Sequence, residues 1–318
     1  MGRYIQRRLL ISIPILIAIT AIIFALLQLT PGDPLDAYLQ PDQVLTAEQR
    51  AALRHELGLD RPAPVRYLFW LREVARGDLG YRIKDGQPVA RAIAQRLGPT
   101  LMLMGTGLLI AVVVGITLGV ISSVRQYSIL DFVLTVFAFL GISLPAFFAG
   151  LLGLYIFALK LGWFPAGGFS TPGAPFSVWD RVHHLLLPAI LLSLFNIGYF
   201  MRYTRAAMLE VLGQDFVRTA RAKGLGERVV VGSHALRNAL LPVVTIIGAS
   251  VPGLIGGAVF IESIFSWPGM GSLYLDGIDG RDYPLIMGLT FILAIVILLA
   301  NLLTDLAYAA IDPRIRYG

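Results

Sequence analysis

Residues 9–29 contain no charged side chain. A helix of about 20 apolar residues crosses a hydrocarbon core of about 30 Å. Within lipid every backbone N–H and C=O must find a partner inside the protein, and a single helix satisfies them all. Five more uncharged runs follow, at 101–124, 132–159, 185–201, 239–261 and 283–304. Six such runs predict an all-α polytopic membrane protein with six transmembrane helices. The chain is 56% hydrophobic and only 14% charged, which excludes a soluble domain. A secretory signal is the competing reading of the first run. The run is long for a signal core, and Gln28, Pro31, Gly32 and Pro34 follow it instead of a small-x-small cleavage site. A retained span, ending at that Pro/Gly turn, is expected.

Residues 30–98 differ in kind, with ten basic and nine acidic side chains and no span-length apolar run. Thr46 and Gln49 have the spacing of a capping box that opens a helix reaching Leu57 and ending at Gly58. Val65, Leu68, Phe69 and Val74 predict a second, amphipathic helix ending near Gly77. Pro88 suits the first turn of a third, at 88–97. The chain therefore divides into 1–29 (tail and first span), 30–98 (a small helical insert outside the membrane) and 99–318 (five further spans). The insert reads equally as a solvated cap and as a surface for an external partner.

Within the spans, Gly115 and Gly119 form a GxxxG pattern that permits close helix approach. Residues 125–131 read as a tight turn. Pro145 predicts a kink in the middle of the third span. Residues 160–184 form a Gly/Pro/aromatic loop in which Trp163 and Trp179 read as interfacial anchors. Asn196 inside the fourth span either bonds another helix or lines a pathway. The fifth run holds Pro242, Gly248, Pro252, Gly253, Gly256 and Gly257. Irregular backbone at membrane depth belongs beside protein or a watery cavity, so Asn196, Gly248, Pro252, Gly256 and Glu262 are candidates for a translocation path. After it, Glu262, Asp276, Asp279 and Asp282 outweigh Arg281. That loop is either solvated or an entrance that disfavours anions.

The longest polar interruption of the second half is the stretch 205–237. From Ala206 to Lys223 it lacks proline, so a helix is allowed. Leu212, Phe216 and Ala220 recur at i, i+4, i+8 as an apolar stripe. Asp215 and Thr219 fall between them, and Arg218 and Arg221 share another face. Ala222, Lys223 and Gly224 then close the helix, with glycine where a helix end favours positive φ. A second short helix is expected at 226–236. The result is an amphipathic hairpin held outside the bilayer, able either to fix topology by charge or to press into a partner.

Topology follows from charge. With the N-terminus inside, cytoplasmic segments hold 13 of the 26 Lys and Arg residues, and the two short outer loops hold three. The other ten lie in the 30–98 insert, which exceeds the length over which the positive-inside rule operates. Both ends and the 205–237 loop are therefore expected in the cytoplasm. This distribution explains the net charge of +6 without a nucleic-acid partner.

The sequence has no cysteine. It also lacks a P-loop, a G-x-S-x-G elbow and an H-E-x-x-H pair. The spans are almost free of the ionisable groups that a proton-coupled carrier needs, which disfavours a stand-alone secondary transporter or channel. The missing nucleophile, metal and acid/base sets disfavour a membrane enzyme.

Several pieces together resemble one family: RYIQRRLL at the start, LTPGDP after the first run, GDLGYR at 77–82, FVRTARAKGL and HALRNALLPVVT in the hairpin, ESIFSWPGMG from Glu262, and DPRIR in the tail. This combination resembles the first permease subunit of dipeptide/oligopeptide-type ABC importers. Arg218 stands where the general loop motif of such importers has Glu. The resemblance implies a type I importer permease fold in a bacterial or archaeal cell membrane. It implies four kinds of partner: a second permease subunit, two cytoplasmic ATPase subunits carrying ATP and Mg, an extracytoplasmic solute-binding protein, and lipid. No cofactor is expected on this chain. Hairpin residues Leu212, Asp215, Phe216, Arg218, Thr219, Ala220, Arg221, Ala222, Lys223 and Gly224 would couple ATPase movement to the spans. Di- or oligopeptides are the implied solute; nickel chelates, glutathione or another small solute are the alternatives within the class.

Overall fold

The computed structural model describes residues 2–31, 33–39 and 45–311. The DPRIR tail lies outside the described residues. Among the described residues thirteen α-helices follow one another: α1 (Gly2–Leu29), α2 (Ala47–Glu56), α3 (Ala63–Ala75), α4 (Val89–Val124), α5 (Ile129–Ser143), α6 (Ala146–Gly153), α7 (Val178–Leu212), α8 (Asp215–Ala222), α9 (Glu227–Val229), α10 (Arg237–Ala249), α11 (Val251–Ile264), α12 (Met270–Asp279) and α13 (Tyr283–Ile311). Short π-helical stretches extend α6 through Leu154–Lys160 and follow α9 at Val230–Leu236. Among the described residues four helices are long and apolar enough to cross a membrane, or six if each of two bent pairs counts as one span.

The chain forms two compact units. The first comprises residues 1–98 and 272–299. Its local signals act as expected: Thr46 and Gln49 complete a reciprocal capping box at α2, and Gly58 and Gly77 take positive φ at helix ends. The third expected helix is not separate. Residues 89–97 are the opening turns of α4, which continues through Gly98 and Pro99. Tyr67 donates to the Ile17 carbonyl at 2.9 Å and fixes α3 on α1. Arg82 is almost buried and donates to Asp276 and Asp85 at 2.9 and 2.8 Å. Lys84 reaches Asp276 at 2.8 Å and, with Arg82, holds its carboxyl below the usual range. Asp282 is buried, which pushes its carboxyl up, although the Leu285 and Ile83 amides donate to it. Two of the four acids read as a solvated or gating loop are thus bound within this unit.

The second unit comprises residues 99–271 and 300–318, and α7 is the element the others pack on. Glycine permits the close approaches. A Cβ on Gly119 would lie 2.6 Å from Thr204 Cβ, and one on Gly115 would lie 2.8 Å from Phe200 Cβ, so the GxxxG face of α4 meets α7. Gly198 on α7 likewise admits the Ala138 carbonyl of α5. Around these contacts Leu103, Leu187, Phe200, Leu254, Ile261 and Trp267 are almost fully buried.

One expected span is corrected. Residues 132–159 are not one kinked helix. Leu144 (φ −79°, ψ 123°) and Pro145 (φ −58°, ψ 138°) are extended, and the helices on either side are bent by 107°. A proline disfavours helical backbone at the preceding residue, so Leu144 ends α5. The 239–261 run, expected to be irregular from its prolines and glycines, is interrupted: α10 ends at Ala249, and α11 begins at Val251 with Pro252 in its first turn.

Candidate functional site: the hairpin at 205–237

The hairpin begins where α7 stops. Gly213 closes that helix, and Asp215 opens α8 with a carboxylate in its first turn, where the positive helix end favours it. The break resets the helical phase. Leu212 remains on α7. The buried face of α8 is Val217 (0% exposed) and Ala220, while Phe216 is 40% exposed. The stripe expected at Leu212, Phe216 and Ala220 is therefore corrected to Val217 and Ala220. The Gly-Gln-Asp sequence at 213–215 was the signal for it. Val217 and Ala220 join Met208, Val211, Val230, Ala235 and Ala239 in one apolar cluster, which seats the hairpin on the ends of α7 and α10.

The far side of the hairpin is stiffened by polar contacts. Thr219 Oγ1 donates to the Asp215 carbonyl at 2.9 Å. Arg218 lies 3.4 Å from Asp215, and both are exposed. Lys223 caps α8, and Gly224 follows at φ +78° with its N–H on the Arg221 carbonyl at 2.9 Å. Arg221 then crosses the turn to make two hydrogen bonds with Glu227, at 2.7 and 3.1 Å. Ala222 is exposed. The second helix begins at Glu227 and passes into the π-helical stretch instead of running as one α-helix. The outer surface carries three exposed apolar side chains, Phe216, Leu225 and Val229, among Arg218, Arg221 and Lys223.

At the start of this stretch, still on α7, Arg205 binds Asp131 through Nε and Nη2, each at 2.8 Å. Ser122 Oγ and the Tyr127 amide donate to the same carboxylate. Asp131 thus joins the ends of α4, α5 and α7. Sequence reasoning missed it, because its cation lies 74 residues away.

The path candidates are placed differently from one another. Asn196 is 5% exposed and lines a cavity beside the α5–α6 break. Gly248 faces Thr304, whose side chain fills the space a Cβ would need. Pro252 and Gly256 belong to α11, but their surroundings lie outside the described residues. Glu262 is 0% exposed. Thr100 Oγ1 donates to it at 2.7 Å and accepts from the Met270 amide, while the Gly271 amide donates to its other oxygen at 2.6 Å. The carboxylate therefore sits at the positive end of α12. Any side chain on Gly269 or Gly271 would collide with it. Trp267 is buried nearby, its Nε1 donating to the Pro99 carbonyl at 3.0 Å. The ESIFSWPGMG segment is thereby a folded knot. Glu262→Ala removes the acceptor of the Thr100 hydroxyl proton and of the Gly271 amide, at a cost of about 1–3 kcal/mol for each buried donor left without an acceptor. It should lower the melting temperature of the detergent-solubilised protein, with Glu262→Gln closer to wild type.

Two family models match the chain. "Binding-protein-dependent transport system inner membrane component" covers residues 115–317, and the N-terminal model of the same system covers 1–104. A Brucella suis biovar 1 (strain 1330) protein named among peptide permeases is 53% identical over 317 residues, 99% of each chain. The oligopeptide transport system permease protein AppB of Bacillus subtilis is 44% identical over 318 residues, all of both chains. Among solved structures, an inward-facing MetNI methionine ABC transporter chain superposes with a TM-score of 0.58 at 17% identity, covering 70% of this chain and 97% of the other. The likeness extends over both units and runs the full length of these relatives: the chain belongs to the family of binding-protein-dependent transport system inner membrane components.

Proposed function

We propose that this chain is the membrane-spanning permease subunit of an ATP-driven peptide importer. The observation that carries the reading is the outer face of the hairpin. Phe216, Leu225 and Val229 present apolar surface on a support pinned by the Arg221–Glu227 pair and by Val217 and Ala220 beneath. Large apolar side chains rimmed by charge, on a loop of fixed shape, suit a groove on a partner protein. The sequence contains no P-loop, so ATP hydrolysis is assigned to partner subunits and none to this chain. The names of its relatives support peptides as the solute.

In this scheme an external binding protein delivers the peptide, and a second permease subunit completes the pathway. Two ATPase subunits close on ATP, and α8 carries their movement into α7 and α10. The cavity changes its open side, and hydrolysis resets it. Residues 30–98 stand outside the membrane; both termini and the hairpin lie in the cytoplasm, at the bacterial or archaeal cell membrane. The absence of cysteine makes the placement easy to test. A single cysteine replacing Val229 should react with a membrane-impermeant maleimide in inside-out vesicles and stay unlabelled in right-side-out ones. The opposite pattern contradicts the topology. Purification in mild detergent should also recover a P-loop ATPase and a second polytopic permease. Repeated recovery of the chain alone contradicts the docking role.

A further inference from the structure

The break between α5 and α6 leaves polar backbone in the middle of an uncharged run. The first helical bond of α6 runs from the Ala149 amide to the Pro145 carbonyl at 3.0 Å, and Pro145 offers no side-chain cap. The amides of Ala146, Phe147 and Phe148 therefore have no acceptor within the helix. Beside Ala146, the first of them, lies a cavity of about 320 Å³, lined by Gly141, Leu144, Ala146, Leu254, Phe260 and Asn196. Asn196 is nine-tenths buried, and its amide has no hydrogen-bond partner among the described residues, whereas its helix neighbour Ser193 bonds the Ile190 carbonyl. No acidic or basic side chain among the described residues lines this space.

Two independent features thus converge. Unpaired amides at a helix start carry partial positive charge and attract anions, most strongly where the dielectric is low. The Asn196 amide supplies two donors and an acceptor, the pattern that pairs with a peptide group. The apolar walls suit a hydrocarbon side chain, and the volume lies within the range of small-ligand pockets, about 300–1,000 Å³. Irregular backbone at membrane depth is stable only where protein or a cavity meets it, and transporters use such broken helices to hold the charged groups of their solutes.

We propose that this cavity receives the C-terminal end of the transported peptide, its carboxylate at the start of α6 beside Ala146 and its last peptide group on Asn196. The inference rests on the peptide-import reading and names the contact that reading lacks. The test uses the complete transporter, with its ATPases and binding protein, in proteoliposomes. Uptake of a tripeptide with a free C-terminus is compared with uptake of the same tripeptide amidated. Asn196→Asp sets a carboxylate against the incoming one. It should lower the free-acid to amide uptake ratio by about tenfold or more relative to wild type, because like charges repel strongly in a low dielectric. Asn196→Gln should hold the ratio near wild type. The preference of the binding protein cancels in this comparison, and an unchanged ratio in Asn196→Asp overturns the assignment. Should that variant fail to assemble, a tripeptide with a photoreactive C-terminal residue is crosslinked to the wild-type transporter. Label on residues 141–149 or 191–198 supports the site, and label confined elsewhere overturns it. A wild-type transporter that takes up neither tripeptide refutes the peptide reading instead, which separates the two failures.

Discussion

Asp131→Ala should destabilise the folded permease by about 3–5 kcal/mol, the usual cost of removing one member of a buried ion pair. Its carboxylate is 6% exposed and accepts from four groups: Arg205 Nε, Arg205 Nη2, Ser122 Oγ and the Tyr127 amide. Removing it leaves the Arg205 guanidinium, itself only 26% exposed, without its anion. Asp131→Asn keeps one acceptor oxygen, enough for either Ser122 or Tyr127, which bond different oxygens, and still strands the cation, so its loss should approach that of alanine. Arg205→Lys keeps the charge and loses the planar fork that makes both 2.8 Å bonds, and should fall between. Asp131→Leu combined with Arg205→Met removes the desolvation cost together with the pair, and should recover most of the stability. Thermal unfolding in detergent measures all four. A loss below about 1 kcal/mol in Asp131→Ala would place the pair among weak surface bridges and remove the tie between α4, α5 and α7.

Gly224→Pro should cut ATP-driven uptake by roughly 5–150-fold, the span of a site-to-site coupling of about 1–3 kcal/mol, while membrane insertion and ATP hydrolysis by the partners persist. Gly224 adopts φ +78° and donates its N–H to the Arg221 carbonyl. Proline holds φ near −65° and has no N–H, so it loses both the turn and the bond. Space is not the obstacle, since nothing lies within 4 Å of a Cβ there. Gly224→Ala therefore isolates the conformational cost, about 1–2 kcal/mol, and should show a milder uptake defect. Proline would also separate Arg221 from Glu227 and re-aim Phe216 relative to Val229. Uptake at the wild-type rate in Gly224→Pro would show that the shape of the hairpin does not matter to transport.

Much of this architecture could be read from single segments, because lipid imposes one demand on each. Uncharged runs had to be helical, and the capping box at Thr46 and the glycines at 58, 77 and 224 mark helix boundaries through local geometry alone. The errors arose where local rules meet. Pro145 was read for the bond it removes from its own helix, whereas its effect on Leu144 produces the 107° break. The division between 30–98 and 99–318 falls between Gly98 and Pro99, yet α4 runs through both. The hairpin stripe assumed one helix across Gly213, and the break moved burial from Phe216 to Val217. Contacts between distant residues left no local trace. Asp131 with Arg205, and Glu262 with Thr100, join residues 74 and 162 positions apart. Nothing in either neighbourhood states the partner.

The most direct test of the central claim is peptide uptake into proteoliposomes holding this chain, its partner permease and the ATPases, with the binding protein outside. Uptake is measured with ATP enclosed, with a non-hydrolysable analogue enclosed, and with a proton gradient alone. Accumulation against a gradient only when hydrolysable ATP and the binding protein are both present is the predicted result. Equal accumulation without ATP, driven by the proton gradient or proceeding with the chain alone, would contradict the account.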